Sequence, residues 1–279
     1  PDDVLDEVLL RAYDRFVFRL DDHLARLEHS LNIVGVDPGI PREAMARLAR
    51  ELVARNHPLL APGDDLGLTI FVTPGTYPAD ASAGPAQPTV CLHTNPLAFH
   101  LWADKYRGGQ ALVTTGVEQV PATSWPRSLK CRSRMHYYLA DRRAAIIEPG
   151  ARALLLDAEG FVVEASTANV MIFNRDGGLL SPPHEDVLPG ISLAQTSELA
   201  ENLGIACAQR KLRPDDLAGA DEVLLTSTPF CLLPVTRFNG RPIGEGAPGQ
   251  IFHRLLGAWN GLVGLDVAAQ AERFARRMI

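Results

Sequence analysis

Apolar and polar positions alternate near the start of this chain, and that spacing predicts a β-hairpin over residues 8–20 with its turn at 13–15. Leucines then recur three and four residues apart, which is the spacing of one buried helix face. The predicted helix begins at an N-cap, Asp21 or Asp22, and ends at Gly35. Its apolar stripe consists of Leu24, Leu27 and Leu31.

The rest of the N-terminal part alternates between helical and extended patterns, with a loop rich in proline and glycine between two of the strands. From these patterns we predict a helix over 42–56, strands over 66–73, 89–93 and 111–117, and a loop over 74–88. Together they would form a small α/β domain over 1–117. Residues 118–127 carry two prolines and no periodicity, which predicts a linker to a second domain.

The second domain, predicted over 128–279, combines strands, turns and helices. A helix is expected over 132–145, and a second one is expected to start near Ser192 and to end at Gly204. The remaining predicted elements are strands over 153–156, 161–163, 170–173 and 222–225, a hairpin that turns at Asn239-Gly240, and helices over 249–278 with a break near Gly261, Gly264 and Asp266.

Composition and charge restrict the kinds of molecule that the protein is expected to bind. The 279 residues are 46% hydrophobic and 22% charged, with a net charge of −6, which favours a globular protein that binds a small molecule rather than nucleic acid. The four cysteines are scattered, so neither a metal site nor a disulfide framework is predicted, and a cytoplasmic setting is expected. No apolar run approaches the ~20 residues of a membrane span. Because the chain begins at Pro1 and not at methionine, a further segment is expected upstream.

Lys130 is the first candidate for chemistry. It follows a segment interrupted by prolines, and Leu129, Tyr137 and Tyr138 indicate that this part of the chain packs inward. An amine held away from water stays neutral more readily, and a neutral amine can attack a carbonyl carbon. The common alternative is a solvated lysine at the start of a helix.

Glu164 is the second candidate, because it interrupts an apolar strand. It follows Phe161-Val162-Val163, at a position where a side chain should be buried. A buried carboxylate needs a cationic or hydrogen-bonding partner. The alternative is a carboxylate in water on an edge strand.

Two polar segments have the features of an anion site. Pro189-Gly190-Ile191-Ser192 precedes a helix, where glycine allows close approach of a ligand and the first backbone N–H groups attract phosphate. Ser192 and Gln195 also have the spacing of a capping box, so a plain helix N-cap is the alternative. Thr226-Ser227-Thr228 ends a strand, and its hydroxyls would either bond phosphate oxygens or cap a turn.

The order of these sites resembles that of the class IV aminotransferases: Arg26 in a His-x-x-Arg-Leu helix, then Lys130, Glu164, Leu188-Pro189-Gly190-Ile191-Ser192 and Thr226-Ser227-Thr228. These fold-type IV pyridoxal-phosphate enzymes include branched-chain aminotransferases, D-amino-acid aminotransferases and aminodeoxychorismate lyases. The resemblance covers nearly the whole chain. It implies an α+β (α/β) two-domain fold, with a smaller N-terminal α/β domain and a larger C-terminal β-barrel-like domain with flanking helices.

The resemblance also implies a role for each site residue. Lys130 would be the Schiff-base lysine and the base that moves a proton on the substrate, and Glu164 would keep the pyridine nitrogen of pyridoxal 5'-phosphate protonated. Arg26 would bind the cofactor phosphate, although its position about 100° from Leu27 around the helix predicts a solvated side chain on pattern alone. The other implied cofactor residues are Leu188 against the ring, Gly190, Ile191 and Ser192 at the phosphate, and the hydroxyl-bearing Ser227 and Thr228.

Departures from the family pattern concern the substrate. Pro229 has no N–H, where branched-chain enzymes offer one to the substrate carboxylate. Arg134 lies four residues after Lys130, as in the K-x-x-N-R pattern of the lyases, although Ser133 replaces the asparagine. The candidates for binding a substrate acid group, each of which would otherwise be a surface arginine, are Arg107, Arg132 and Arg134.

Three functions are consistent with the sequence. The first is a transaminase resembling branched-chain aminotransferases, which would act on an amino acid and a 2-oxo acid, and the Thr226-Ser227-Thr228 run favours it. The second is the aminodeoxychorismate lyase that forms 4-aminobenzoate. The third is a catalytically silent protein that binds pyridoxal phosphate, against which the joint presence of Lys130 and Glu164 argues. The family also implies a homodimer.

Overall fold

The computed structural model describes residues 6–13, 16–75 and 87–277 and has a mixed α+β fold, which confirms the predicted class. The chain divides into two compact units. The first contains the described residues up to Leu97 together with Ser128–Arg134, and the second contains Ala98–Arg127 and the described residues from Met135 to Arg277. Most of the predicted 13–15 turn, and most of the predicted 74–88 loop, lie outside the described residues.

The first unit has an antiparallel sheet and two helices. Its elements are β1 (Asp6–Tyr13), β2 (Phe16–Val17), α1 (Leu20–Val34), α2 (Arg42–Asn56), β3 (Leu66–Thr73) and β4 (Thr89–Pro96). The strand order is β2-β1-β3-β4, and Leu10 of β1 lies opposite Leu68 of β3. Both leucines share a core with Leu24, Leu27 and Leu31 of α1. The leucine spacing therefore predicted the buried face of this helix correctly.

Left-handed backbone conformations lie at both ends of α1. Gly35 ends the helix with φ 68°, as predicted. The N-cap is Arg19 with φ 51°, so the prediction of Asp21 or Asp22 as N-cap is wrong. Both carboxylates lie in the first turn, where the helix dipole stabilises negative charge, and acidic residues there do not by themselves identify the cap.

The second unit has a mixed sheet flanked by helices. Its elements are α3 (Lys105–Gly108), β5 (Gln110–Thr114), α4 (Met135–Ile147), β6 (Arg152–Leu156), β7 (Val162–Ala165), β8 (Asn169–Asn174), β9 (Gly178–Ser181), α5 (Ile191–Asn202), β10 (Cys207–Gln209), α6 (Pro214–Ala218), β11 (Glu222–Ser227), β12 (Cys231–Phe238), β13 (Arg241–Pro242), α7 (Gln250–Val263) and α8 (Val267–Phe274). The strand order is β10-β9-β8-β11-β12-β5-β6-β7, with β13 beside β12. A bridge between Ala165 and Ala168 joins the end of β7 to the chain before β8, so the sheet curls back on itself.

The position of β5 corrects one prediction. The strand predicted at 111–117 was assigned to the N-terminal domain, but β5 pairs in parallel with both β12 and β6 in the large sheet. The Thr114 amide donates a hydrogen bond of 2.9 Å to the side chain of Asn239, just beyond β12. Such pairing depends on residues far apart in sequence, which the alternation along one strand does not encode.

Two helix starts also differ from the predictions. α4 begins at Met135 and not at residue 132, so Lys130 lies in an irregular segment before the helix. α5 begins at Ile191 with Gly190 as N-cap and has no side-chain cap. The predicted capping box of Ser192 and Gln195 is therefore wrong.

The C-terminal helices break close to the predicted position. Gly264 ends α7 with φ 67°, and Asp266 caps α8 by accepting hydrogen bonds from the amides of Ala268 and Ala269. Gly261 lies inside α7 and does not contribute to the break. None of the described helices is long and apolar enough to cross a lipid bilayer.

Candidate active site

One face of α1 carries buried basic residues. His23 and Arg26 lie three positions apart and are therefore neighbours on the helix surface. Arg26 is only 9% exposed, so the prediction of a solvated side chain is wrong. Ser30 is fully buried, and its hydroxyl accepts a hydrogen bond of 3.2 Å from the Lys130 amide. This contact holds the segment that carries Lys130 against α1.

His23 lies within the electrostatic influence of two cations. Burial lowers the pKa of its imidazole well below the usual value, and the charges of Arg26 and Lys130 lower it further. Its Nδ1 is buried and has no hydrogen-bond partner among the residues that the structure describes. A buried polar atom of this kind is able to form a hydrogen bond with a further group, and the neighbouring cations favour an anion such as phosphate.

Glu164 lies on β7, and its side chain is buried, as the strand pattern predicted. Its Oε1 accepts hydrogen bonds from Gln119 Nε2 at 2.5 Å and from the hydroxyl of Tyr137. A carboxylate offers about four acceptor positions on its two oxygens. A carboxylate is also the kind of group that accepts a hydrogen bond from the protonated nitrogen of a pyridine ring.

A strained turn follows Glu164. Thr167 has φ 61°, a left-handed conformation that β-branched residues rarely adopt. Backbone hydrogen bonds between Ala165 and Ala168 close the turn, and the hydroxyl of Ser227 donates to the Thr167 carbonyl at 3.0 Å. Strain of this kind is concentrated at functional sites. Ser227 thus contributes by holding the turn that follows Glu164.

The start of α5 has the geometry of an anion-binding site. The first intrahelical hydrogen bond runs from the Ala194 amide to the Gly190 carbonyl, so the amides of Ile191 and Ser192 have no acceptor within the helix. Ser192 is buried. The amide group of Asn169 donates to the Leu188 carbonyl at 2.9 Å and so fixes the chain just ahead of the helix. Backbone N–H groups at a helix N-terminus attract negative charge, phosphate in particular.

Gly190 is required by its surroundings rather than by its backbone angles. Its φ of −72° is open to any residue, but a Cβ added here would lie 2.0 Å from Asn169 Oδ1. The space where a Cβ of Gly190 would lie is therefore filled by Asn169 and not open to a ligand. Two threonines lie at the end of β11 and just beyond it. Thr228 is half-buried, and the Oγ1 of Thr226 is buried with no hydrogen-bond partner among the described residues. The unpartnered Oγ1 of Thr226 is consistent with a binding site for a polar group.

The substrate arginines predicted from the sequence have different environments. Arg107 is largely exposed and forms an ion pair with Glu272. Arg132 is exposed, with its guanidinium 5.7 Å from the centre of the Phe71 ring, and Arg134 is half-buried. Among the described residues there is no group of three or more histidine, cysteine, aspartate or glutamate side chains that could hold a metal ion.

Three residues near the candidate site had no role assigned from the sequence. The sequence did contain a signal for His23 as a site residue, because the His-x-x-Arg spacing places it on the same helix face as Arg26. Tyr137 was expected only to pack inward. Gln119 was assigned to a linker, and no pattern along the chain indicated its contact with Glu164.

The chain matches one protein family over most of its length. The family model, described as amino-transferase class IV, matches residues 8–238. The chain belongs to this family. Class IV aminotransferases depend on pyridoxal phosphate, and the chain is a transaminase with this cofactor, for which amino acids and 2-oxo acids are the substrate class.

Relatives of this class IV aminotransferase include the D-alanine aminotransferase of Bacillus licheniformis, which is 28% identical over 87% of this chain and 82% of that protein. The branched-chain-amino-acid aminotransferase of Salmonella typhimurium is 27% identical over 91% of this chain and 82% of that protein. Because these relatives are aminotransferases, the lyase and the silent binding protein are not favoured.

Solved structures agree with the family membership. The T.th. branched-chain amino acid aminotransferase, complexed with N-(5'-phosphopyridoxyl)-L-glutamate, is 26% identical with a TM-score of 0.79 and covers 94% of this chain and 86% of its own. The enzyme of Escherichia coli shares the fold with a TM-score of 0.84 at 23% identity, over 92% of this chain and 85% of its own. Within the first unit, the unpartnered Nδ1 of His23 suits an anionic group such as the phosphate of this cofactor. Within the second unit, the first backbone N–H groups of α5 suit the same kind of group.

Proposed function

We propose that this class IV aminotransferase transfers the amino group of a branched-chain amino acid to a 2-oxo acid, with Lys130 as the residue that bonds to the cofactor. The observation that carries the assignment is that Lys130 and Arg26 both lie close enough to the buried His23 to act on its charge. The positive charge of Arg26 suits a phosphate-bearing aldehyde. Family membership supports the reaction, and the branched-chain relatives support the substrate.

Bound pyridoxal phosphate supplies a carbonyl carbon for the amino group and a ring that accepts electrons. The Lys130 amine would move the proton at the substrate α-carbon. Glu164 holds a proton on the ring nitrogen by accepting it in a hydrogen bond. An amine can take up and release a proton, and a carboxylate can accept a hydrogen bond from a protonated nitrogen, so both residues suit these roles.

Phosphate binding is assigned to cations and backbone amides. Arg26 supplies a charge-assisted hydrogen bond, and Ile191 and Ser192 supply N–H groups at the start of α5. The remaining cofactor residues in this proposal are Leu188, Gly190, Ser227 and Thr228. Family membership supports these assignments.

The substrate carboxylate needs a cation or another N–H group, because Pro229 offers none. We take Arg134 as the first candidate, because it is half-buried and lies four residues after Lys130. A second candidate substrate is D-alanine, because the relative from Bacillus licheniformis is a D-alanine aminotransferase. The scattered cysteines support a cytoplasmic setting.

We further propose a homodimer whose interface includes an apolar strip on α4. The α4 strip is defined by exposed side chains on one side of the helix, Met135, Tyr138, Leu139 and Ile146. The opposite side of the helix carries the buried Ala140 and Ala144. Contiguous exposed apolar surface is typical of an interaction site, and a two-fold dimer is the commonest assembly of soluble proteins.

Covalent attachment tests the assignment of Lys130. Borohydride treatment of the protein loaded with pyridoxal phosphate should fix the cofactor to Lys130, and peptide mass spectrometry should locate it there. Lys130→Ala should lose both the label and transamination. Labelling of Lys130→Ala to the same extent as the parent would refute the assignment.

A donor screen tests the substrate. Leucine, isoleucine, valine and both enantiomers of alanine should be offered with 2-oxoglutarate and with pyruvate, with aminodeoxychorismate in parallel. We expect the highest kcat/KM for a branched-chain donor. Preference for D-alanine would support the second candidate, and release of pyruvate from aminodeoxychorismate without an acceptor would contradict transamination.

A further inference from the structure

Three side chains of the second unit form a closed hydrogen-bond network around Glu164. Gln119 Nε2 donates to Glu164 Oε1 and lies 3.4 Å from the Tyr137 hydroxyl, which itself donates to the same Oε1. Both Gln119 and Glu164 are buried. The carboxylate is therefore held by two neutral donors that come from different parts of the chain.

The orientation of the Gln119 amide is determined by its other contacts. Its Oε1 accepts a hydrogen bond of 2.8 Å from the Val120 amide, so the side-chain nitrogen must be the atom that faces Glu164. The backbone amide of Gln119 donates to the Leu156 carbonyl at 2.9 Å. Gln119 is thus fixed to the end of β6 and presents two N–H donors to the network.

The direction of the Tyr137 hydroxyl follows from that of Gln119. Because Nε2 can only donate, the hydroxyl oxygen accepts from it, and the hydroxyl proton is directed to Glu164. The Tyr137 ring packs against the core that contains Ala140, Ala144 and Ala153. The fold therefore holds a phenol in a fixed position with its proton on the carboxylate.

We propose that Tyr137 is a positioning residue for transamination that acts through Glu164: with Gln119, it keeps the carboxylate ionised and oriented, so that the ring nitrogen of the cofactor retains its proton. This inference rests on the proposed role of Glu164. Tyr137 touches neither substrate nor reacting atoms in this role.

The physical argument concerns the proton between the carboxylate and the ring nitrogen. Hydrogen bonds donated to a carboxylate stabilise its ionised form and so make it a weaker base. Loss of the Tyr137 donor makes Glu164 a stronger base, and the proton moves toward the carboxylate. A ring that lacks this proton accepts electrons less well, so the chemical step slows.

The test compares Tyr137→Phe with Tyr138→Phe, which makes the same chemical change at the neighbouring residue, whose side chain is 59% exposed. Each holoenzyme is prepared with pyridoxal phosphate labelled with nitrogen-15 in the ring, and the nitrogen signal is measured by NMR. We expect the signal of a protonated ring in the parent and in Tyr138→Phe, and a shift toward the neutral ring in Tyr137→Phe. The kcat of Tyr137→Phe should fall about tenfold, with KM little changed.

Gln119→Leu provides a second variant, which should shift the nitrogen signal in the same direction without altering the phenol. An unchanged signal in both Tyr137→Phe and Gln119→Leu would overturn the inference, whatever happens to kcat, because loss of packing alone does not move this proton. Glu164→Gln separates this failure from that of the proposed function. A ring that stays protonated in Glu164→Gln would refute the role of Glu164 itself.

Discussion

Arg26 lies beside His23 on a buried face of α1. In the proposed phosphate site its positive charge provides the main attraction for the anion. A phosphate carries nearly two negative charges near neutral pH, and each charge-assisted hydrogen bond contributes roughly 1.5–3 kcal/mol. Arg26→Gln should therefore weaken binding of pyridoxal phosphate by about one to two powers of ten, as measured by equilibrium dialysis. Glutamine preserves much of the buried volume.

Two comparisons isolate the phosphate contribution of Arg26. Arg47→Gln removes an exposed arginine from α2 and should bind the cofactor as the parent does. Pyridoxal without its phosphate should bind to the parent and to Arg26→Gln about equally. An equal loss of affinity for both forms would mean that Arg26 shapes the site by packing.

His23 makes the apoprotein sensitive to acid. Its pKa is lowered in the folded protein by burial and by the charges of Arg26 and Lys130. Above about pH 6.5 the imidazole is neutral in both the folded and the unfolded states and contributes nothing. Below that pH the unfolded state binds a proton that folded His23 does not, so the free energy of unfolding falls by up to about 1.4 kcal/mol per pH unit.

Urea denaturation of the apoprotein at pH 7 and at pH 5.5 measures this effect. His23→Gln should lose less stability on acidification than the parent, whereas His100→Gln, at an exposed position, should lose as much as the parent. If His23→Gln and the parent lost equal amounts, the imidazole would be protonated in the folded state.

At the scale of elements, the junction between β8 and α5 depends on Gly190. A Cβ at this position would lie 2.0 Å from Asn169 Oδ1, so Gly190→Ala must displace Asn169 and the hydrogen bond that it donates to the Leu188 carbonyl. We expect a loss of about 1–3 kcal/mol in the free energy of unfolding, together with weaker cofactor binding. Denaturation and cofactor titration measure the two effects.

Gly257→Ala is the matched control, because Gly257 lies within α7 and a Cβ there would meet nothing within 4 Å. In a helix interior this change should stabilise the protein by up to about 1 kcal/mol. Unaltered cofactor affinity and stability in Gly190→Ala would show that the start of α5 tolerates a different arrangement, and its assignment as the phosphate site would lose its geometric basis.

At the scale of the whole molecule, the α4 strip predicts self-association. Leu139→Lys places a charge in the strip, and burial of an unpaired charge strongly opposes association. Light scattering at micromolar concentration should give a dimer mass for the parent and a monomer mass for this variant. Leu262→Lys alters a leucine of similar exposure on α7 and should leave the dimer intact. A dimer in both variants would exclude the α4 strip from the interface.

Sequence patterns determined many of the elements of this protein, and they determined its family. The bounds of α2 and β3 and the buried leucines of α1 agree with the predicted ones, because apolar spacing directly reflects which face of a helix or strand is buried. The order of Lys130, Glu164 and the segment ahead of Ser192 predicted a class IV aminotransferase, and the family match confirms it.

Only the tertiary structure decided which residues surround these side chains. Gln119 and Tyr137 lie 45 and 27 positions from Glu164 in sequence, and their hydrogen bonds to it follow from the pairing of β6 with β7 and the packing of α4. The burial of Arg26 and the place of β5 in the large sheet were decided in the same way. Spacing along one element records its own buried face, but a contact between distant segments depends on how the elements assemble.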